Sequence, residues 1–323
     1  MAKRHATPVF FMDSPLVPSP PPSPTSTVVF ARHETFHPRF GWLKKGFDAA
    51  SADPDLFLRE DAPLQLGVGK NMVKSIRYWC TAFKILADDR PTSPLLTNLL
   101  KDEGWDPYLE DPASLWLLHW FLLKPPCTAT TWAFSFYQLT STEFTAESLL
   151  HDLQGYRDSI APRIADSSLR KDISCFLRMY AKQPVNRKGK GGAEEALDCP
   201  FAELGLIQNV GLGALESGSR RYRFVVGPKL SLPPEIIVYT ALDYASAQGN
   251  QMGSVPLMKV LFDPYSPGLA LKLTENSLID AITQVNRLIP TIRLEDLAGR
   301  MTLAYDSPPR TLAQQVLGQY YTP

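Results

Sequence analysis

Apolar positions between Gly69 and Leu86 recur at helical spacing, with Met72, Ile76, Trp79, Cys80 and Phe83 on one face and a turn offered by Gly67 to Gly69. The pattern predicts a helix of about four to five turns. A short apolar helix is expected from Leu115 to Leu123. Another is expected from Ala146 to Tyr156, with Thr145 as N-cap and Glu147 in the first turn, where the helix dipole favours an acid. Ser148 stands where a capping box would carry Glu or Gln, so no full box is expected. Ser167 can cap a helix over Ser168 to Tyr180, in which Leu169, Ile173, Phe176, Leu177 and Tyr180 share a face. Ala202 to Val210 and Arg221 to Val226 read as strands joined by a glycine-rich loop, Gly211 to Gly218.

Short helix, amphipathic helix, then a two-stranded ribbon is the order of a winged helix-turn-helix. The chain offers it twice. A weaker third version starts near Pro234, with helices over Glu235 to Ala245, Val255 to Phe262 and Ser277 to Asn286, followed by Ile292 to Leu303. The expected fold class is mainly α with small β-ribbons, arranged as tandem winged helix-turn-helix domains. No sequence repeat accompanies that order, so the repetition is architectural.

Composition refines the boundaries. Seven of the 29 prolines lie between Pro8 and Pro24, interleaved with serine, which marks residues 1–27 as a flexible tail. All six tryptophans lie between Trp42 and Trp132, as expected of a separate aromatic core. The predicted organisation is therefore a tail (1–27), a tryptophan-rich winged-helix-like domain (28–138), a second such domain (139–232) and a C-terminal helical domain (233–323), possible as a third winged helix. A polar stretch from Gln183 to Glu195 reads as a mobile loop.

The 323 residues are 44% hydrophobic, enough for packed cores, and 33 basic residues balance 33 acidic ones. Only local segregation of charge can then argue for a polyanionic partner. No apolar run is long enough for a membrane span or a secretory signal, so no membrane partner is expected and a cytoplasmic location is the default. Cys80, Cys127, Cys175 and Cys199 show no CxxC spacing and read as buried thiols.

The helix after Gly69 carries the clearest chemical signal. No acid occurs from Ala62 to Ala87, while Lys70, Lys74, Arg77 and Lys84 fall within an arc of about 80° opposite the apolar face. With Arg39, Lys44 and Lys45 nearby, that face can neutralise several phosphates, and Asn71 can reach a base edge or a phosphate. A solvated helix face is the alternative. The second helix repeats the feature through Arg170, Lys171 and Arg178, and Arg220 and Arg221 stand at the base of the second ribbon; ordinary i, i+4 pairing is the alternative there.

His33-Glu34-Thr35-Phe36-His37 matches the zinc-protease letters, but it follows a strand-like run and is closed by Pro38, so the two histidines are not expected on one helix face. A cluster of His33, Glu34, His37 and Arg39 can still handle a phosphodiester; equally, Glu34 and Arg39 can pair while the histidines pack. The Gly67-Val68-Gly69-Lys70 stretch lacks phosphate-loop spacing, so no nucleotide cofactor is expected. Carboxylates from Asp102 to Asp111, including Asp106, Glu110 and Asp111, can hold Mg²⁺ or Mn²⁺ if they converge, with Glu34 as a further candidate ligand.

The stretch Phe30-Ala31-Arg32-His33-Glu34-Thr35-Phe36-His37-Pro38-Arg39-Phe40-Gly41-Trp42-Leu43-Lys44-Lys45-Gly46 resembles the opening signature of SspB-like proteins. The likeness continues through Leu66 to Val73, Gly104 to Pro112, Leu197 to Pro200 and Ser231 to Glu235. Arg32 departs from it, standing where glycine is expected. The resemblance implies a role in DNA phosphorothioation, a defence-linked modification in which sulfur replaces a non-bridging phosphate oxygen. It implies double-stranded DNA as partner, strand nicking as activity, and association with a cysteine desulfurase, an ATPase and an ATP pyrophosphatase. On that reading Glu34 is the candidate metal ligand or base, assisted by His33 and His37, with Arg39 on phosphate. The alternative is a non-catalytic DNA-binding adaptor or transcriptional regulator that recruits the sulfur-transfer proteins.

Overall fold

A helix that is apolar all round has no solvent face and must be enclosed. One segment here meets that description, and the rest of the chain is built around it. The computed structural model describes residues 28–182, 199–210, 220–249 and 253–322; the expected tail (1–27) and the loops expected over Gln183–Glu195 and Gly211–Gly218 lie outside them. The first third comprises α1 (Trp42–Ala52), α2 (Ala62–Leu66), α3 (Lys70–Ala82), a hairpin of β1 (Leu86–Ala87) and β2 (Arg90–Pro91), α4 (Pro94–Leu100) and α5 (Pro112–Leu123). Every residue of α5 from Ala113 to Leu123 is buried.

Next come α6 (Thr130–Tyr137), β3 (Glu143–Thr145), α7 (Ala146–Ile160), α8 (Asp166–Tyr180), β4 (Ile207–Val210) and β5 (Arg221–Phe224), with the three strands in the antiparallel order β3-β5-β4. A similar order of elements follows again, with one short helix added. It runs through α9 (Pro234–Ala247), β6 (Gly253–Pro256), α10 (Leu257–Phe262), a short α11 (Pro267–Leu271), α12 (Glu275–Asn286), β7 (Ile292–Asp296) and β8 (Met301–Tyr305), with strand order β6-β8-β7. A final helix, α13 (Pro309–Tyr321), packs along α9. The expected mainly α architecture with small β-ribbons is present.

Four local expectations change. Residues 28–138 contain only the two-residue strands β1 and β2, with no three-stranded sheet among the described residues, so the repeated order begins at α6 and not in the tryptophan-rich part. Val255 and Pro256 belong to strand β6, since Pro256 directs the chain out of the sheet before α10 begins at Leu257. Ser167 does not cap α8, which starts one residue earlier at Asp166; Arg157 and Gln154 hold that carboxylate. Conversely, the capping box of α7 is complete: the Thr145 hydroxyl accepts from the Ser148 amide at 3.1 Å and the Ser148 hydroxyl accepts from the Thr145 amide at 2.9 Å. Serine at N3 performs the task usually given to glutamate.

Close approach between α1 and α3 requires glycine at position 46. A Cβ there would lie 2.4 Å from Cys80 Sγ and 2.9 Å from Ile76 Cγ2. Around α5, His119 is enclosed, with Nδ1 2.8 Å from the Tyr180 hydroxyl and Nε2 3.0 Å from the Ala270 carbonyl. A carbonyl can only accept, so Nε2 carries the proton and Nδ1 accepts from Tyr180. Burial pushes this imidazole down to about 3, which keeps it neutral.

Candidate nucleic-acid interface

The segment from Ala31 to His37 is a sequence of tight turns, with Ala31, Glu34 and Thr35 at positive φ of 56°, 48° and 69°. It cannot be the helix that zinc ligation by His33 and His37 would need. What holds it in place is Asp172, a buried carboxylate on α8. Its Oδ1 accepts from the Ala31 amide at 2.8 Å and from His33 Nε2 at 2.8 Å, and its Oδ2 accepts from the Thr131 hydroxyl at 2.7 Å. A second tie runs from the Arg178 guanidinium, again on α8, to the Thr35 carbonyl at 3.1 Å. His33 is fully buried and stacks on Trp79, with the ring planes 23° apart and the ring centres 6.1 Å apart. The catalytic role expected of His33 is therefore corrected: it is a positioning residue that carries the turn onto α8.

Glu34 stays half-exposed on this clamped turn, with its carboxylate 3.7 Å from Lys74 Nζ on α3. It does not pair with Arg39, whose guanidinium lies over the rings of Phe36 and Trp42 at 5.6 and 5.3 Å. His37 is partly buried on the same turn. Glu34 is thus the open carboxylate of the segment, set between α3 and α8.

Of the four cations of the α3 stripe, two meet acids from other parts of the chain and a third is drawn into the interior. Arg77 donates through Nε and Nη2 to both oxygens of Asp89 at 2.7 and 2.6 Å. Lys74 faces Glu34. Lys84, at positive φ beyond the end of the helix, is drawn inward to donate to the Phe121 carbonyl, and burial pushes its ammonium down to about 8. Lys44 is buried on α1 between Asp48 and Asp102, both at 2.6 Å. Burial pulls the Lys44 ammonium down, but bonds to Asp102 and Asp48 outweigh it and hold the pKa above its ordinary value. Lys44, Arg77 and Lys84 are therefore internal partners and not free phosphate contacts. Lys45 donates to the Leu66 carbonyl at 2.9 Å. Lys70 and Asn71 remain exposed at the start of α3.

α8 behaves differently. Arg170 and Lys171 are exposed, and neither forms an ion pair among the described residues; Arg178 is half-exposed and donates only to carbonyls. On the adjoining ribbon Arg220 is exposed, while Arg221 and Arg223 share Glu143, at 3.9 and 2.5 Å. The charge that α3 loses by internal pairing is retained on α8. No feature of the sequence singles out Asp172 as the residue that joins the two. It stands among cations as an apparent neutraliser, and only its inward direction reveals its role.

The carboxylates expected to hold metal do not converge. Asp106 is buried and accepts from the backbone amides of Glu110 and Asp111 at 2.9 and 3.0 Å, closing a turn. Asp111 caps α5 through the Ala113 amide at 2.8 Å and accepts from the Tyr320 hydroxyl at 3.0 Å. Among the described residues no group of three His, Cys, Asp or Glu side chains comes together to hold a metal ion. The donor set of Glu34, Asp106, Glu110 and Asp111 therefore does not fit a Mg²⁺ or Mn²⁺ site, because two of its members are spent on backbone and tyrosine donors. None of the described helices is long and apolar enough to cross a membrane.

Comparison with known proteins supplies the lineage. Residues 30–321 match the model of a family described as a protein of unknown function, DUF4007. A crystal structure of magnesium-bound SspB is 37% identical, covers 92% of this chain and 88% of its own, and superposes with a TM-score of 0.82. A second SspB crystal structure is 36% identical over the same shares, with a TM-score of 0.81. No curated protein matches. With the signature turn, the clamp on α8 and nearly the whole described chain inside the matched region, the chain belongs to the DUF4007 family and is an SspB-like protein.

Proposed function

We propose that this chain is a DNA-binding, strand-nicking component of a DNA phosphorothioate modification system, and that it grips the duplex with α8 and the ribbon of β4 and β5. The SspB likeness supports the system. The observation that carries the grip is the charge on α8 that has no acidic partner among the described residues. We read the order helix, strand, helix, helix, strand, strand, which the second run follows with one short helix added, as winged-helix connectivity, in which the helix before the last two strands enters the major groove. In the first repeat that helix is α8, presenting Arg170 and Lys171 outward. In the second repeat it is α12, which presents Glu275 and Asp280 and would repel phosphate. DNA therefore belongs on the first repeat, next to the turn that carries Glu34.

Glu34 is then the residue placed for nicking. Its carboxylate takes a proton from water as the water oxygen bonds to phosphorus and the ester P–O bond breaks, the leaving oxygen gaining its proton from solvent. Arg178 flanks this position as a phosphate partner, while Lys74 holds the Glu34 carboxylate in place. Partner enzymes supplying sulfur would act on the opened strand.

Plasmid relaxation in buffer containing Mg²⁺ or Mn²⁺ tests the reading. The native chain should convert supercoiled plasmid to open circles, and Glu34→Ala should abolish this while leaving DNA affinity intact. Retained nicking would place the chemistry elsewhere. DNA binding with no nicking by the native chain would favour the adaptor role.

A further inference from the structure

Between α7, α8 and β5 lies a cleft of about 340 Å³, within the range of roughly 300–1,000 Å³ typical of small-ligand sites. Its floor is Leu150, Ile173, Leu177 and Tyr222, and Arg170 and Arg178 stand at its rim two helical turns apart. Glu147, at the start of α7, is the one carboxylate lining it among the described residues. We propose that this cleft receives a single unstacked nucleotide of a DNA strand, with its base against the apolar floor and its flanking phosphates on the two arginines. The proposal rests on the reading that α8 faces DNA, and deepens it by naming what the adjoining surface accepts.

Three observations choose this occupant. The floor is apolar and ends in an aromatic ring, a surface that suits the face of a base and offers nothing to a phosphate. The rim carries two guanidinium groups with no acidic partner among the described residues, and the half-exposed one, Arg178, spends donors only on the Thr35 and Ser174 carbonyls, leaving others of its five free. Glu147 would repel a phosphate lodged inside the cleft but accepts a hydrogen bond from an exocyclic amino group, as acidic side chains do with cytosine. The cleft should therefore prefer a base bearing an amino group over thymine. An enzyme acting on one strand gains from such a pocket, because a nucleotide drawn out of the stack exposes its phosphodiester.

The test uses the full chain and fluorescent duplexes that are fully paired or carry one bulged cytosine, bulged thymine or abasic site. A bulge removes most of the unstacking cost, so the cytosine bulge should bind on the order of tenfold tighter than the paired duplex, and the thymine and abasic duplexes less so. Ala146→Phe, which fills the cleft from α7 without touching the exposed face of α8, should erase the preference and leave paired-duplex affinity within about twofold. Glu147→Gln should remove the discrimination between cytosine and thymine. Should Ala146→Phe fail to fold, 2-aminopurine at the bulge gives a second readout, since its emission changes when it leaves the stack for the cleft. Equal affinity for paired and bulged duplexes, or unchanged 2-aminopurine emission on binding, overturns the proposal and leaves the α8 reading in place. Absence of binding to any duplex overturns both.

Discussion

Helices α3 and α8 are both amphipathic and both carry cations on the face turned from the core, yet their charges meet different fates. On α3 the sequence holds no acid for more than twenty positions, and acids from elsewhere move in: Glu34 from the signature turn to Lys74, and Asp89 from the hairpin to Arg77. On α8 an acid sits inside the run of cations, next to Lys171, and neutralises none of them. One residue further along a helix is about 100° further around it, which takes Asp172 from the surface into the core. Local acid content therefore misjudges free charge in both directions. What decides is where each carboxylate points.

The largest expected effect breaks the joint between the two helices. Asp172→Ala leaves the Ala31 amide, His33 and Thr131 without their buried acceptor, and should cost about 3–5 kcal/mol in denaturant unfolding. A loss below about 1 kcal/mol would show that the turn is held by packing alone.

Two ammonium groups drawn into the interior allow a pH comparison. Lys84 follows α3 and is pushed down to about 8; Lys272 donates to the Phe136 carbonyl of α6, 4.4 Å from the centre of the Phe224 ring, and burial pushes it down to about 7. A lysine whose folded pKa lies below its unfolded value of 10.5 gives up a proton on folding, so stability rises with pH between the two values and the penalty is complete below the lower one. Unfolding free energy should climb by on the order of 3 kcal/mol from pH 7 to 10 through Lys272 alone, and Lys84 adds to the rise over the same range. In Lys272→Met that slope should flatten.

DNA binding sharpens the contrast directly. Replacing Arg170, Lys171 and Arg178 together should weaken duplex affinity about a hundredfold at low salt, and should reduce the slope of log affinity against log salt by between two and three, at about 0.9 for each phosphate no longer neutralised. Replacing Lys70, Lys74 and Arg77 together should lower that slope by about one, through Lys70, since the other two are already paired. Equal effects from the two triple variants would break the comparison.

A smaller effect is expected where α3 leans on α1. Gly46→Ala forces a methyl group onto Cys80 and Ile76 and should cost about 1–3 kcal/mol in thermal or denaturant unfolding, with little change in DNA affinity.

How much of this is legible in the sequence depends on the range of the interaction. Apolar periodicity predicts α3, α7, α8, α9 and α12 to within a few residues, because a helix is a local pattern read at a fixed period. The β6 strand reads as helix, since a run of only four residues carries too little alternation to outweigh the helix that follows. The signature turn is recognisable as non-helical from Pro38, and Glu34 stands out within it. The partners of Glu34, Lys44 and Arg77 are not legible beyond the four-residue spacing of Lys44 and Asp48, because Asp89, Asp102 and Lys74 lie 12 to 58 positions away and meet them only through the fold. Asp172 shows the same limit most sharply, lying 139 positions from the histidine it holds.

All four cysteines are buried, and burial pushes the thiols of Cys80, Cys127 and Cys175 up, away from the nucleophilic thiolate form. The native chain should therefore be nearly silent toward maleimides. A single cysteine placed at an exposed position of α8, such as Ser174, becomes the sole fast-reacting handle. A dye or a photo-crosslinker attached there would report its surroundings without any background substitution to clear first.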